Sequence, residues 1–284
     1  MFDFPNIYKY FDKLSNQNQF LYMISLFSYY LITIMVSVLD LYFQNYNMLA
    51  KILFIIIISF LFLFNYYDFQ GFWYSARAAA ESIKTCTWRY AVKAVPYNTY
   101  SNDEAKKILI DTINEIIKSN PFFSLKNNII LSYVEIPSSL QSFRNKPLEE
   151  RYNYYLKNRF HEQKKWYSNK SIHNAETSKK LFKISCLVST LILLFIFIDT
   201  NNSLPIQPFL VLLTSIFSWN QIKRYKELRR SYELTSHEIA FIEEKLSNIM
   251  LTEEGFSNFV CEAEKAFSRE HIQWFAKGIN VENL

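Results

Sequence analysis

Residues 209–254 read FLVLLTSIFSWNQIKRYKELRRSYELTSHEIAFIEEKLSNIMLTEE, a stretch without Gly or Pro that begins apolar and ends charged. Alternate steps of three and four residues along it trace one seam, the pattern of a helix wound against a partner. The seam consists of Val211, Thr214, Ser218, Gln221, Tyr225, Leu228, Tyr232, Thr235, Ile239, Ile242, Leu246 and Ile249. Such a helix is roughly 70 Å long, whereas a bilayer core is about 30 Å thick. The stretch therefore predicts one continuous helix that begins in lipid and continues into water.

The whole chain alternates strongly apolar blocks with strongly charged ones, and 50% of its 284 residues are apolar. We predict four membrane spans, at residues 20–42, 50–67, 181–199 and 206–222. The predicted fold class is an all-α membrane protein, in which two transmembrane helical hairpins are continued by long cytoplasmic helical stalks. The first two-span unit covers residues 1–125, a linker covers 126–146, and the second unit covers 147–284. Four buried helices of a soluble core are the disfavoured alternative, because charge-free runs of this length are uncommon there.

Basic residues are distributed unevenly between the segments that these spans separate. Residues 68–183 contain 19 Lys or Arg and the tail from residue 223 contains 9, whereas the two hairpin turns contain only Lys51. The positive-inside rule then places both termini and the long middle segment in the cytoplasm.

The water-exposed segments carry local signals of their own. Residues 71–95 are predicted to continue the second span as a stalk, and Ser101 with Glu104 forms a capping box before an amphipathic helix. Residues 129–136 are predicted to form a short strand, and residues 147–205, which are free of internal Gly and Pro, to form a second long helix. The tail after residue 255 is predicted to be an amphipathic helix that ends at Gly278, with Glu262, Glu264 and Glu270 on or near its wet side.

Polar residues occupy seam positions where apolar ones are usual. In the spans we single out, as pore-lining candidates, Ser185, Ser189, Thr214, Ser218 and Gln221. The alternative is that these residues serve as interhelical packing in a glycine-poor membrane domain. In the cytoplasmic part of the second long helix the polar seam consists of Gln163, Tyr167, Lys170 and Asn174. These residues either set the helix register beside water or line a hydrated vestibule that leads toward the spans.

Reaction centres are absent from the sequence patterns. There is no HExxH, GxGxxG or P-loop motif, and Glu270 with His271 are helix neighbours that point apart. The three cysteines Cys86, Cys186 and Cys261 are far apart, which favours reduced thiols over a disulfide framework or a metal site. We therefore expect no enzyme activity, no catalytic residue, no metal and no cofactor. The basic excess is spread along helices near the membrane, which favours contact with lipid over direct nucleic acid binding.

Two stretches resemble a known family. The run FWYSARAAAESIKTCTWRYA at residues 72–91, with Trp88 and Arg89 near its end, looks like the helix after the hairpin in one SLATT subfamily. SLATT names the SMODS- and SLOG-associating two-transmembrane effector domains of bacteria. The second stretch resembles another SLATT subfamily through Arg159, Gln163, Trp166, Tyr167, Lys170 and Asn174, and through Ser268, Arg269, Glu270, His271 and Trp274.

The resemblance implies a tandem SLATT protein in the bacterial inner membrane. Such proteins are expected to be pore-forming or membrane-disrupting effectors of antiphage and other conflict systems, gated by a cytoplasmic signal or partner. The expected partners are further copies of the chain in a homo-oligomer, membrane lipid, and a nucleotide-sensing or nucleotide-making protein. The alternative is a non-conducting membrane scaffold or sensor that recruits cytoplasmic partners. A transporter is disfavoured because, in mid-membrane, no span contains a charged residue or a Gly or Pro break.

Overall fold

The computed structural model describes residues 2–42, 47–120, 122–123, 134–198, 206–246 and 251–281, except for the side chains of residues 40–42, 47, 50, 61, 65 and 269–281. Every regular element within these ranges is helical, which confirms the predicted all-α class. The α-helices are α1 Asn6–Tyr42, α2 Asn47–Tyr66, α3 Phe69–Ala91, α4 Asn102–Lys118, α5 Ser138–Arg144, α6 Leu148–Tyr155, α7 His161–Ile198, α8 Ile206–Lys223, α9 Tyr225–Leu246 and α10 Glu253–Val281. A π-helical turn, Leu156–Phe160, joins α6 to α7.

The helices form two compact units. The core unit comprises Met1–Gln19, Gln70–Ser168 and Tyr232–Leu284, and the span unit comprises Phe20–Phe69 and Asn169–Ser231. Both the 1–125 and the 147–284 parts of the chain therefore contribute helices to each unit. The boundary between the units falls inside α1, α7 and α9, so these three helices run through both.

Helix α4 shows how the sequence builds the core unit. The Ser101 side chain accepts a hydrogen bond from the Glu104 N–H, and the Glu104 carboxylate accepts one from the Ser101 N–H, as the capping box predicts. The predicted apolar face is buried in the same cluster as the apolar faces of α3 and α10. Its fully buried members are Ala105, Leu109, Ile113 and Ile117.

The long helix predicted between Pro147 and Pro205 is confirmed. Residues Leu148–Ile198 run helically for 51 residues, from the core unit into the apolar third span. The π-helical turn within it is a local widening of a kind that often accompanies functional positions.

The continuous helix predicted for residues 209–254 is wrong. Helix α8 ends at Lys223, Arg224 has a left-handed φ of 50°, and α9 begins at Tyr225. We call this break at Arg224 the elbow. Beyond the elbow, the seam residues Thr235, Ile239 and Ile242 are buried in the core unit. A repeat of three and four residues depends only on spacing along the sequence, and one left-handed residue does not change that spacing. The periodicity therefore did not reveal the break.

Three further predictions also need correction. The stalk of residues 71–95 does not continue the second span directly, because α2 ends at Tyr66 and α3 begins anew at Phe69. Helix α10 runs past Gly278 to Val281, so the predicted stop is wrong. Of the predicted strand at 129–136, residues 129–133 lie outside the described ranges, and residues 134–136 are irregular.

Three segments of the described chain are long and apolar enough to cross a membrane, judged by length and composition. They are Asn6–Leu39, Lys51–Ala91 and Leu148–Ile198. Helix α8, which corresponds to the fourth predicted span, is not among them. The span unit exposes large apolar side chains such as Phe62 and Phe197, which are 74% and 84% exposed, as lipid-facing surfaces do.

Candidate functional site

A buried ion pair lies at the centre of the core unit. The Glu264 carboxylate on α10 is 0% exposed and accepts two hydrogen bonds from the Arg159 guanidinium, from Nε at 2.9 Å and from Nη2 at 2.7 Å. Such parallel bonds are the strongest geometry for an arginine–carboxylate pair. The prediction that Glu264 remains on the wet side of the tail helix is therefore wrong.

Two hydroxyl groups complete the coordination of the same carboxylate. Thr85 on α3 donates to one Glu264 oxygen at 3.0 Å, and Tyr155 at the end of α6 donates to the other, also at 3.0 Å. Burial raises the pKa of Tyr155 well above its ordinary value, so this phenol remains a donor. Burial opposes the charge of Arg159, but the adjacent Glu264 carboxylate outweighs it and raises the arginine pKa, so the pair is ionic.

Local structure explains why these groups meet. Arg159 and Phe160 lie in the π-helical turn, and both are buried. The apolar face of α10 surrounds them, with the Arg159 guanidinium 5.1 Å from the centre of the Phe267 ring. This face was predicted from its spacing and is confirmed by the burial of Phe256, Phe259, Val260, Ala263 and Phe267.

Two further buried arginines hold the turn that follows α3. Arg144 is 1% exposed and donates to the carbonyl oxygens of Tyr90 and Tyr97, at 2.7 Å each, and to the Asn102 side chain at 3.1 Å. Charge-assisted bonds to backbone carbonyls fix the path of a loop more firmly than neutral ones.

Arg151 connects the same turn to α10. Its guanidinium donates to the carbonyls of Val92 at 2.6 Å and Lys146 at 2.9 Å, and it pairs with the Glu253 carboxylate. The Val95 N–H also donates to the Ser257 hydroxyl at 3.0 Å. The two arginines and the buried ion pair thus join α3, α6 and α10 by polar contacts inside an apolar core.

This arrangement is suited to holding helices together rather than to bond chemistry. No group of three or more potential metal-binding side chains was found in the described part of the chain. Burial raises the pKa of the Cys86 thiol to about 12, so it is a poor nucleophile near neutral pH.

The pore-lining candidates occupy different environments in the span unit. Ser185 is buried and Ser189 is half-buried on α7, and each hydroxyl donates to the carbonyl four residues earlier. On α8, by contrast, the candidates Thr214, Ser218 and Gln221 are all exposed.

Ser218 also lies next to Tyr30 of α1, on the first hairpin. This contact is of the interhelical kind that polar residues make in membranes.

The polar seam of α7 divides in a similar way. Tyr167 is buried and donates to the Phe267 carbonyl at 2.9 Å, whereas Asn174 is buried and donates to the Lys170 carbonyl at 2.7 Å. Gln163 is half-buried and Lys170 is exposed.

The family-motif positions that are described serve the core unit. Trp88 is buried with its ring 5.6 Å from that of Tyr155, next to the half-buried Arg89, and the Trp166 ring lies 5.4 Å from that of Tyr232. The side chains of Arg269, Glu270, His271 and Trp274 lie outside the described ones.

Sequence reasoning missed several of the residues that build the site, Tyr155 among them. Arg144, Arg151 and Glu264 resemble solvated charges in the sequence, because their partners are distant along the chain. Arg159 was found only through its place in the family-like stretch.

Comparison with known proteins supplies the family. The model described as "SMODS and SLOG-associating 2TM effector domain 3" matches residues 5–152, and that described as "SMODS and SLOG-associating 2TM effector domain 1" matches residues 155–274. No curated protein and no solved structure matches the chain. SLATT domains are effector domains of bacterial conflict systems. The chain therefore belongs to the SLATT family and contains two of its effector domains in tandem.

Proposed function

We propose that this protein is a membrane effector that forms a homo-oligomer and opens a conducting or disruptive path through the bacterial inner membrane. A cytoplasmic signal or partner, such as a nucleotide-sensing or nucleotide-making protein, controls the opening. In this proposal the chain crosses the membrane four times, α8 is the fourth span, and both termini are cytoplasmic.

The single observation that carries the proposal is the continuity of the Leu148–Ile198 helix. It contains Arg159 of the buried ion pair near one end and an apolar, span-length segment at the other. Arg159 lies two residues before α7, which is a regular α-helix from His161 to Ile198, and a regular helix bends only gently; a shift at Arg159 would therefore be carried along α7. Helix α1 makes a second connection of this kind, from Phe11 in the core cluster to the first span.

The elbow at Arg224 changes the expected route of coupling. The seam of residues 209–254 was expected to join water to lipid through one helix, but α8 and α9 meet at a left-handed residue. We therefore propose that α1 and α7 couple the core unit to the membrane spans. In this proposal the elbow sets the orientation of α8.

The exposed polar face of α8 supports a path lined by several chains. Thr214, Ser218 and Gln221 are three and four residues apart, so they share one face of that helix. Ser218 already contacts Tyr30 of α1, but exposed polar side chains such as Gln221 are unfavourable against hydrocarbon, and a neighbouring copy or a water-filled lumen would relieve this cost. Four helices enclose little space, so a lumen requires several copies.

The test is planar-bilayer recording of the purified full-length chain. Brief openings are expected without the signal, because a minor state typically has a population of about 0.1–10%. Ser218→Leu with Gln221→Leu should abolish or markedly reduce the unitary current. Thr190→Leu, which replaces an exposed hydroxyl on α7 outside the proposed lining, should leave it unchanged. Absence of current steps from the parent chain would overturn the proposal, and equal currents in all three proteins would remove the α8 lining.

A non-conducting scaffold is the second candidate, and one feature of α9 favours it. Leu234 and Phe241 are seven residues apart on the core-unit part of this helix and are 64% and 59% exposed. Apolar side chains exposed at this spacing are suited to binding a partner helix. Loss of partner capture in Leu234→Ser with Phe241→Ser, from a parent that gives no bilayer current, would establish this function instead.

A further inference from the structure

Basic side chains from two antiparallel segments of the span unit lie at the same level. At one end of the α7–α8 hairpin the rings of Phe195 and Phe209 are 5.4 Å apart. Toward the other end the Ser171 hydroxyl donates to the Arg229 carbonyl at 3.4 Å. Both segments rise by about 1.5 Å per residue, so counting along them from either contact locates the residue opposite Lys179. That residue lies within about two positions of Lys223.

This register brings together a group of cations that we call the basic collar. Its members are Lys179, Lys180 and Lys183 of α7 with Lys223, Arg224 and Lys226 of the elbow between α8 and α9. Acidic residues on the same stretches are few, namely Glu176 on α7 and Glu227 on α9. Glu227 pairs with Arg224 at 3.0 Å, but both side chains are more than a third exposed. Water screens such a pair, so it neutralises little of the local positive charge.

The collar lies where apolar helix surface gives way to charge. The three lysines of α7 are exposed at the start of its apolar segment, and Lys223 ends α8. The Lys223 ammonium lies 5.3 Å from the centre of the Trp219 ring, and tryptophan is a residue typical of headgroup depth.

Lys223 itself would gain from an anionic partner. Its side chain is half-buried, and a half-buried ammonium group is unfavourable without a counter-charge. Arg224, which directly follows Lys223, has a left-handed φ of 50° and separates α8 from α9. Phosphate oxygens at headgroup depth would supply such a counter-charge.

We propose that the basic collar is a binding site for the phosphate headgroups of anionic membrane lipids. This proposal rests on the membrane insertion of α8 proposed above. Juxtamembrane cations attract anionic lipid through the sum of several moderate contributions, and six cations at one level of two antiparallel segments form a site of that kind. Bound lipid would hold the elbow at the membrane surface and so set the orientation of α8.

The experiment uses Trp219 as a reporter in vesicles of the full-length chain. The vesicles contain zwitterionic phosphatidylcholine with about 20 mol% phosphatidylglycerol, so that anionic lipid is the minority species. Bromine is placed on the acyl chains of one lipid or the other. The fluorescence lost on changing Trp219→Phe isolates the contribution of this residue.

We expect brominated phosphatidylglycerol to quench Trp219 at least about fivefold more per mole than brominated phosphatidylcholine. Neutralising the elbow by Lys223→Gln, Arg224→Gln and Lys226→Gln should reduce this preference to about one. The α7 variant Lys179→Gln, Lys180→Gln and Lys183→Gln should weaken it as well, which guards against a folding defect in the first. Lys106→Gln with Lys107→Gln, on α4 of the core unit, is the matched control and should preserve the preference.

Each other outcome would overturn the proposal in a recognisable way. Equal quenching by both lipids in the parent would show that α8 is in the membrane but that the collar does not select anionic lipid. Competition by soluble glycerol phosphate would show a site for free phosphate esters rather than for lipid. Quenching by neither lipid would show that Trp219 is outside the bilayer, and the four-span arrangement would then fail too.

Discussion

Replacing Glu264 by Gln perturbs the buried ion pair while keeping the size of the side chain. The carboxylate accepts four hydrogen bonds, two from Arg159 and one each from Thr85 and Tyr155. The neutral amide would leave the Arg159 charge buried without its counter-charge, and removing one partner of a buried pair costs about 3–5 kcal/mol. For a unit of this size, each kcal/mol corresponds to roughly 2–4 °C, so we expect the unfolding temperature to fall by roughly 6–20 °C.

The assay is thermal unfolding of the purified full-length protein, followed by tryptophan fluorescence, to which Trp88, buried in the core unit, contributes. Glu262→Gln is the matched control, because Glu262 lies on the same helix but pairs with Lys245 at 3.6 Å with both side chains about half exposed. That change should cost at most about 1 kcal/mol.

A double change separates charge burial from general damage. Arg159→Met with Glu264→Leu removes both charges, and apolar replacements of buried pairs are often neutral or stabilising. We expect this variant to unfold at a higher temperature than Glu264→Gln. The reasoning would be refuted if Glu264→Gln unfolded within about 2 °C of the parent, a shift equivalent to under 1 kcal/mol.

Three further predictions concern the surroundings of the site. Arg144→Met removes three hydrogen bonds from the turn after α3 and should lower the free energy of unfolding by about 3 kcal/mol or more in a thermal assay. The control Arg77→Met breaks only the partly exposed i,i+4 pair with Glu81 and should cost under about 1 kcal/mol. Maleimide labelling of the native protein at about pH 8 should modify Cys261 and spare Cys86, because burial raises the pKa of the Cys86 thiol to about 12. Labelling of Cys86 at a rate equal to that of Cys261, measured by mass spectrometry, would contradict this. Ser101→Ala breaks the α4 capping box and should destabilise the core unit by about 1 kcal/mol in the same unfolding assay, with an unchanged midpoint as the contrary result.

Local signals in the sequence predicted much of the helical architecture. The capping box at Ser101, the apolar face of α4 and the uninterrupted 148–198 helix all depend on residues within a few turns of one another. Such features are set by spacing and by the absence of Gly and Pro, which a sequence displays directly.

The elbow and the buried ion pair depend on distant contacts and were not predictable in this way. Arg224 adopts a left-handed conformation that usually signals Gly or Asn, so its residue type gave no warning of a break. Glu264 is a charged residue at the edge of an apolar face, and charged residues are mostly exposed. Its burial depends on Arg159, a residue 105 positions earlier, and on two hydroxyls from other helices.

The most direct test of coupling between the core unit and the membrane is a pair of open-probability measurements in planar bilayers. Glu264→Gln is recorded with Ser171, Ile172 and His173 of α7 replaced either by Ala, which keeps the helix stiff, or by Gly, which loosens it. We expect Glu264→Gln to change the open probability by about tenfold in the Ala background and by less than about twofold in the Gly background. An equal change in both backgrounds would contradict coupling through α7.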